Sequence, residues 1–249
     1  MPNKDSLSSG FVGEDIPSQE SMFSNISEFY RSESGYSCLH LCRRYGKLHI
    51  LKSLQPPFKQ EEFYKQLLHK EFNIGYHPNI RQTIDWEQQD ELGLCIVMEY
   101  IDGISLKEFM IQGKLTQPLA YKFIRELCEA LHYIHSKQLV HKDLKPENII
   151  ITHNGNNVKL IDFGLSDRDD YDTLKIPAGT KKYLAPEQLL PHASLDCRTD
   201  IYSLGVIIQD ITSVIKDRRL VRIAQKCTQK NPDKRFHSAQ EVLEALNVR

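Results

Sequence analysis

The chain has no charge excess: 32 Lys and Arg stand against 33 Asp and Glu over 249 residues, a formal net charge of −1. That balance excludes the global basic field that draws a protein to nucleic acid, and equally the acidic surplus of a solvating, disordered chain. No stretch approaches the ~20 apolar residues that cross a bilayer, and the opening MPNKDSLSSG lacks the apolar centre of a secretion signal. The six cysteines, Cys38, Cys42, Cys95, Cys128, Cys197 and Cys227, form no CxxC pair. Most have apolar neighbours and read as buried thiols of a reducing compartment, with Cys38 and Cys42 taken as thiols rather than zinc ligands. Internal repeats and low-complexity tracts are also missing. The expectation is a cytoplasmic protein with neither nucleic acid nor membrane as partner; its oligomeric state is not legible.

What is present is a 40% hydrophobic composition, enough for one large core or for two lobes sharing a cleft. Residues 1–24, rich in Ser, Asp, Glu, Asn, Gly and Pro, read as a flexible tail. Between Tyr36 and Leu54, strand-like segments meet at Tyr45-Gly46, and KLHILKSL reads as an alternating strand, so a hairpin is expected. FKQEEFYKQLLHKEFNIGY spaces Phe63, Leu67, Leu68, Phe72 and Ile74 at helical intervals, and LGLCIVMEYI returns to strand. Beyond Asp102-Gly103 helices take over. LAYKFIRELCEALHYIHSKQ carries Phe123, Leu127, Ala130, Leu131 and Ile134 on one face, and DIYSLGVIIQDITSVI is apolar nearly all round, as a helix in the centre of a lobe would be. LVRIAQKCTQ and SAQEVLEALNVR follow as amphipathic helices, the second with a capping box of Ser238 and Glu241. These patterns give an α+β, two-lobed architecture, a strand-rich lobe over about 25–100 and a helix-rich lobe over about 101–249, hinged near Glu99 to Asp102.

The stretch HKDLKPENIII, His141 to Ile151, sets charged groups around a proline between a long helix and a strand, a placement common for catalytic loops. Further on, IDFG puts Asp162 at the end of an apolar strand, and Asp162 and Asn148 supply the hard oxygen ligands that Mg²⁺ prefers. GTKKYLAPE (179–187), DIYSLG (200–205) and NPDKRF (231–236) complete the series. In order and spacing these motifs resemble the eukaryotic-type Ser/Thr protein kinase family over roughly residues 29–246.

The resemblance implies a two-lobed protein kinase fold and transfer of the γ-phosphoryl group of ATP, with Mg²⁺, to a hydroxyl of a protein substrate. Asp143 matches the base that orients that hydroxyl, Lys145 the cation that neutralises the transferring group, and Asn148 and Asp162 the metal ligands. Lys52 matches the strand lysine that grips the α- and β-phosphates. Its carboxylate partner is expected to be Glu71, nineteen residues on, with Glu61 and Glu62 as rivals nearer the helix start. Glu99 to Ile101 match the hinge that bonds the adenine edge, behind which Met98 stands guard; Ser34, Ser37, Leu39 and Ile150 complete the implied nucleotide-binding set. Glu187 with Arg235 matches a buried ion pair, and Asp200 an acid bracing the catalytic loop.

The sequence departs from the family's pattern at several positions. SESGYS, Ser32 to Ser37, stands where three glycines let backbone approach phosphate, and Ile50 replaces a small residue above the adenine ring. Lys142 replaces an arginine; a lysine forms no bidentate clamp, and Asp167, Asp169, Asp170 and Asp172 are its expected acidic partners, with Thr173 and Thr180 as candidate phosphorylation sites. From Glu71 the chain also reaches His77-Pro78-Asn79 about three residues sooner than the family norm, so a tight helix exit is expected. The segment between Ile211 and Asn231 is short too, which trims the larger lobe. The alternative to an active kinase is a pseudokinase that binds nucleotide or acts as a scaffold.

Overall fold

A computed structural model describes residues 23–31, 36–163 and 180–247. Five antiparallel strands open the chain: β1 (Phe23–Arg31), β2 (Ser37–Arg44), β3 (Lys47–Leu54), β4 (Thr83–Gln89) and β5 (Gly93–Glu99), in the order β1-β2-β3-β5-β4. The expected hairpin is β2–β3. Tyr45 and Gly46 both take positive φ, 51° and 74°, and Arg44 pairs with Lys47 across the turn. Two left-handed residues give the turn a twist matched to that of the strands, and glycine takes the second at no steric cost.

The strand KLHILKSL does not alternate between core and solvent: Ile50 to Leu54 are all buried. Both faces of β3 are covered. Ile50 and Leu54 pack with Tyr64, Leu67, Leu68, Ile96 and Met98, while Leu51 packs with Phe23, Cys42, Cys95 and Val97. Because side chains alternate along a strand, Lys52 shares the face of Ile50 and Leu54. That face meets α1 (Glu62–Phe72), which buries Tyr64, Leu67, Leu68 and Glu71. The buried set follows the spacing i, i+3, i+4, i+7, so an apolar helical stripe ends on a glutamate. Phe63, expected within the stripe, is 47% exposed and lies edge-on to Tyr64.

The second lobe is built from β6 (Gly103–Ser105), α2 (Leu106–Ile111), α3 (Gln117–Ser136), β7 (Ile149–Thr152), β8 (Val158–Leu160), α4 (Cys197–Val214), α5 (Arg218–Cys227) and α6 (Ala239–Asn247), with β6-β7-β8 as a small sheet. The five apolar residues read on one face of α3 are all buried. α4 is buried from Thr199 to Ile208 apart from Tyr202, as its all-round apolar sequence requires. Gly205 makes its packing possible: a Cβ there would stand 2.4 Å from Cys227 Cβ on α5. At the start of α6, Ser238 Oγ accepts from Glu241 N–H at 3.2 Å, but the Glu241 carboxylate accepts from His237 N–H at 2.9 Å rather than from Ser238, so half of the expected capping box forms. The exit of α1 is tight. Gly75 turns it at φ 83°, and Ile74 O accepts from Tyr133 Oη at 3.1 Å and Lys137 Nζ at 2.8 Å, both on or just beyond α3. Together the elements form two lobes, an antiparallel sheet carrying one helix and a mostly helical body.

Candidate active site

β3, α1 and the end of β8 bring three ionic groups together. Lys52 Nζ lies 2.6 Å from Glu71 Oε2 and 3.2 Å from Asp162 Oδ1. The rivals fall away: Glu61 is the N-cap of α1, and the exposed Glu62 pairs with Lys65. Burial pulls the Lys52 ammonium down, but Glu71 and then Asp162 outweigh it and hold the group protonated well above the usual lysine range. Burial likewise pushes the Asp162 carboxyl up, and Lys52 overcomes it, bringing its pKa down to about 2. Asp162 takes a left-handed conformation, φ 63°, which turns its side chain out of the strand direction toward Lys52, with half of that side chain still exposed.

The loop from His141 to Asn148 is fixed from below by Asp200 on α4. Its carboxylate accepts from His141 N–H at 2.8 Å, Lys142 N–H at 2.9 Å and His135 Nε2 at 2.8 Å. These donors outweigh the cost of full burial and keep Asp200 below the ordinary carboxylate range. His141 Nδ1 accepts from Asp143 N–H at 3.3 Å, so Nε2 carries the hydrogen directed at Ile161 O, 3.1 Å away. The loop is thereby tied to the strand that ends in Asp162. Asp143 itself is nearly buried, and its Oδ2 accepts from Lys145 Nζ at 2.6 Å and Asn148 Nδ2 at 3.0 Å. Oδ1 accepts no hydrogen bond among the described residues. Burial raises the Asp143 carboxyl above its usual value, with Lys145 opposing. Asn148 uses its amide nitrogen on Asp143, which leaves its Oδ1 as the acceptor able to meet a cation. One carboxylate oxygen set and one amide oxygen are the hard donors a magnesium ion takes, so the residues fit that ion.

At the hinge the side chain of Glu99 turns outward, accepting from Gln82 N–H at 2.8 Å and Lys159 Nζ at 2.7 Å. What Glu99 can offer the cleft is therefore backbone. The N–H of Ile101 has no hydrogen-bond partner among the described residues, as a donor awaiting a ligand would not. Leu39 on β2 and Ile150 on β7 are half-buried, and Ile150 lies opposite in facing to Ile149 and Ile151, which enter the core. Met98 and Ile50 are buried against each other's strand. Ser37 opens β2, while Ser34 lies outside the described residues, as do the aspartates proposed to meet Lys142 and the phosphorylation candidate Thr173.

A family model for the protein kinase domain matches residues 35–215. The chain belongs to the protein kinase family. Relatives include a serine/threonine-protein kinase, pkn2, of Myxococcus xanthus, 33% identical over 145 residues, 55% of this chain and 17% of the relative. Another, ppk25 of Schizosaccharomyces pombe, is 40% identical over 134 residues, 53% of this chain and 31% of the relative. A probable serine/threonine-protein kinase of Clostridium perfringens, CPE1738, is 32% identical over 183 residues, 70% of this chain and 26% of the relative. The chain thus spans less than a third of the length of these kinases.

Two features of this protein kinase domain are not marked by any sequence motif. Tyr36 is buried against Tyr64, and its ring centroid lies 5.9 Å from Lys52 Nζ, leaving the lysine side chain 3% exposed. Arg81, whose N–H bonds Leu160 O at 2.9 Å, carries a buried Nε with no hydrogen-bond partner among the described residues. Burial lowers its pKa against the pull of Glu71, Asp162 and Glu99, which puts a second cation behind the Lys52 triad. An aromatic beside a degenerate glycine loop was the only hint of the first; nothing local marks the second.

Proposed function

We propose that this domain transfers the γ-phosphoryl group of ATP to serine or threonine hydroxyls of a protein substrate, as a cytoplasmic enzyme with its buried cysteines reduced. The observation that carries the reading is Asp143: a carboxylate with one oxygen held by Lys145 and Asn148 and the other without a hydrogen bond among the described residues. Such a group accepts a hydrogen bond from an alcohol and fixes the direction of its attacking oxygen. Asn148 and Asp162 are the residues that would hold magnesium, which when bound neutralises phosphate charge. Lys52, kept in place by Glu71, would bind the α- and β-phosphates, the backbone of Glu99 and Ile101 the adenine edge, and Ser34, Ser37, Leu39 and Ile150 the remainder of the nucleotide. Lys145, already 2.6 Å from Asp143, would supply positive charge where the transferring group accumulates negative charge. Because burial raises the Asp143 carboxyl, the acid limb of the rate profile is expected above the ordinary aspartate range, activity rising with pH as the carboxylate ionises.

A second reading, a pseudokinase, has one observation in its favour: the buried Tyr36 ring lies 5.9 Å from the lysine that must reach phosphate. Incubating the protein with γ-labelled ATP and generic protein substrates, with and without magnesium, separates the two. Magnesium-dependent label in a substrate or in the chain supports the kinase; nucleotide binding with no label in either supports the pseudokinase.

A further inference from the structure

The turn Thr180–Tyr183 is fastened to the catalytic loop and carries two adjacent exposed lysines, Lys181 and Lys182. Its attachment is firm on both sides. Tyr183 O accepts from Ser203 Oγ at 2.7 Å on α4, and Leu184 and Ala185 are buried. Gln188 then bridges back, accepting from Ala185 N–H at 3.0 Å through Oε1 and donating from Nε2 to Lys142 O at 2.9 Å, next to Asp143. The lysines therefore sit on a ledge tied through Gln188 to the loop that carries Asp143.

Among the described residues the charge balance of that ledge has a definite sign. Asp210, the carboxylate beneath it, has both oxygens engaged: Oδ1 by Lys182 Nζ and Oδ2 by the Tyr183 hydroxyl at 2.7 Å. Glu147, in the turn after Asp143, takes Lys107 at 2.9 Å. Glu187 is committed to Arg235, with both oxygens accepting from its guanidinium at 2.6 and 2.7 Å. Lys145 is matched by Asp143. Lys181 is exposed, and its ammonium makes no hydrogen bond or ion pair among the described residues. Lys182, with half of its side chain still exposed, can share its charge with a second anion. Among the described residues, a substrate arginine would find the carboxylates around the ledge occupied, whereas a substrate carboxylate would meet cations that keep their solvent-facing side open.

We infer that the substrate segment taken by this site carries acidic residues beside its acceptor serine or threonine, and that Lys181, with Lys182, selects it. The inference rests on the kinase reading for the acceptor, but the ledge makes its own claim about charge. Electrostatic selection by exposed groups acts mainly on binding and fades with salt. The test uses the full chain and three fluorescent peptides that share one central serine and differ only in flanking Glu, Ala or Lys residues. Binding is read by fluorescence anisotropy, and phosphoryl transfer from Mg-ATP is read in parallel. The Glu peptide is expected to bind about tenfold tighter than the Ala peptide at low salt and the Lys peptide more weakly than either, the spread closing at roughly 0.5 M salt. Lys181→Ala should narrow the spread and Lys181→Glu should close or invert it; both change an exposed side chain, so folding is not at stake. Equal binding of the three peptides, or preference for the Lys peptide, overturns the inference. Transfer to the peptides without any preference in binding sinks the ledge and leaves the kinase; acidic preference in binding without transfer to any peptide leaves the ledge and sinks the kinase.

Discussion

Two buried ionic clusters lie in this domain, made of the same chemistry and left in different states of satisfaction. In the helical lobe, Arg235 is fully enclosed, and its guanidinium donates to both oxygens of Glu187 and to the carbonyls of Arg198, Gln229 and Lys230. Every direction of the fork has an acceptor, which is the condition under which a buried ion pair holds structure together. In the cleft, Lys52 and Glu71 are just as buried, yet their third member, Asp162, is half exposed, and Arg81 stands behind them with an Nε that has no hydrogen-bond partner among the described residues. A saturated cluster has nothing left to offer a ligand. An unsaturated one is poised to exchange partners, and under the proposed function it is the one that would meet the phosphates and metal of a nucleotide.

The contrast can be broken from either side, and the saturated side should give the largest effect. Arg235→Ala strands Glu187 and several carbonyls at once, so we expect a loss of about 3–5 kcal/mol and a melting temperature lower by roughly 10 °C, read by urea and thermal unfolding. Asp200→Asn comes next, at about 2–3 kcal/mol, because the amide presents a donor to backbone N–H groups that need an acceptor. Its pH dependence has a fixed sign: Asp200 titrates below its unfolded value, so its contribution is complete above the ordinary aspartate range and is lost as pH falls through the depressed folded value. Unfolding midpoints from neutral pH to strongly acid pH should therefore converge for wild type and variant in acid. The smallest effect on stability belongs to the cleft. Lys52→Met should cost only about 1–2 kcal/mol, since Arg81 stands near enough to offset Glu71 and the half-exposed Asp162 keeps water, while nucleotide affinity measured by calorimetry falls sharply. A loss equal to that of Arg235→Ala would erase the distinction.

Much of this could be read from the chain. The nineteen-residue separation that the family resemblance implies points to Glu71, which Lys52 does meet, while the buried face of α1 runs through Tyr64, Leu67, Leu68 and Glu71 rather than through Phe63. The central helix α4 and the face of α3 follow from apolar patterning alone. β1 and β4 were not legible: β1 is an edge strand exposed beyond Phe23, and β4 is mostly half-buried, so neither carries the alternation of a strand with one clean face. The outward turn of the Glu99 side chain depends on Gln82 and Lys159 meeting it from other segments. Arg81 becomes notable only when α1, β8 and the hinge converge around it. Sequence patterns report which face of an element is buried; they do not report which polar groups on that face will find partners.

The most direct test of the account is the single-turnover rate of γ-phosphoryl transfer by wild type and by Asp143→Asn, each with bound nucleotide quantified and melting temperature recorded. The variant keeps the side chain's shape and loses the acceptor charge, so transfer should slow by about a thousandfold with nucleotide affinity little changed. Equal rates in the two proteins, with both folded and loaded, would contradict the assignment of Asp143 and with it the proposed chemistry.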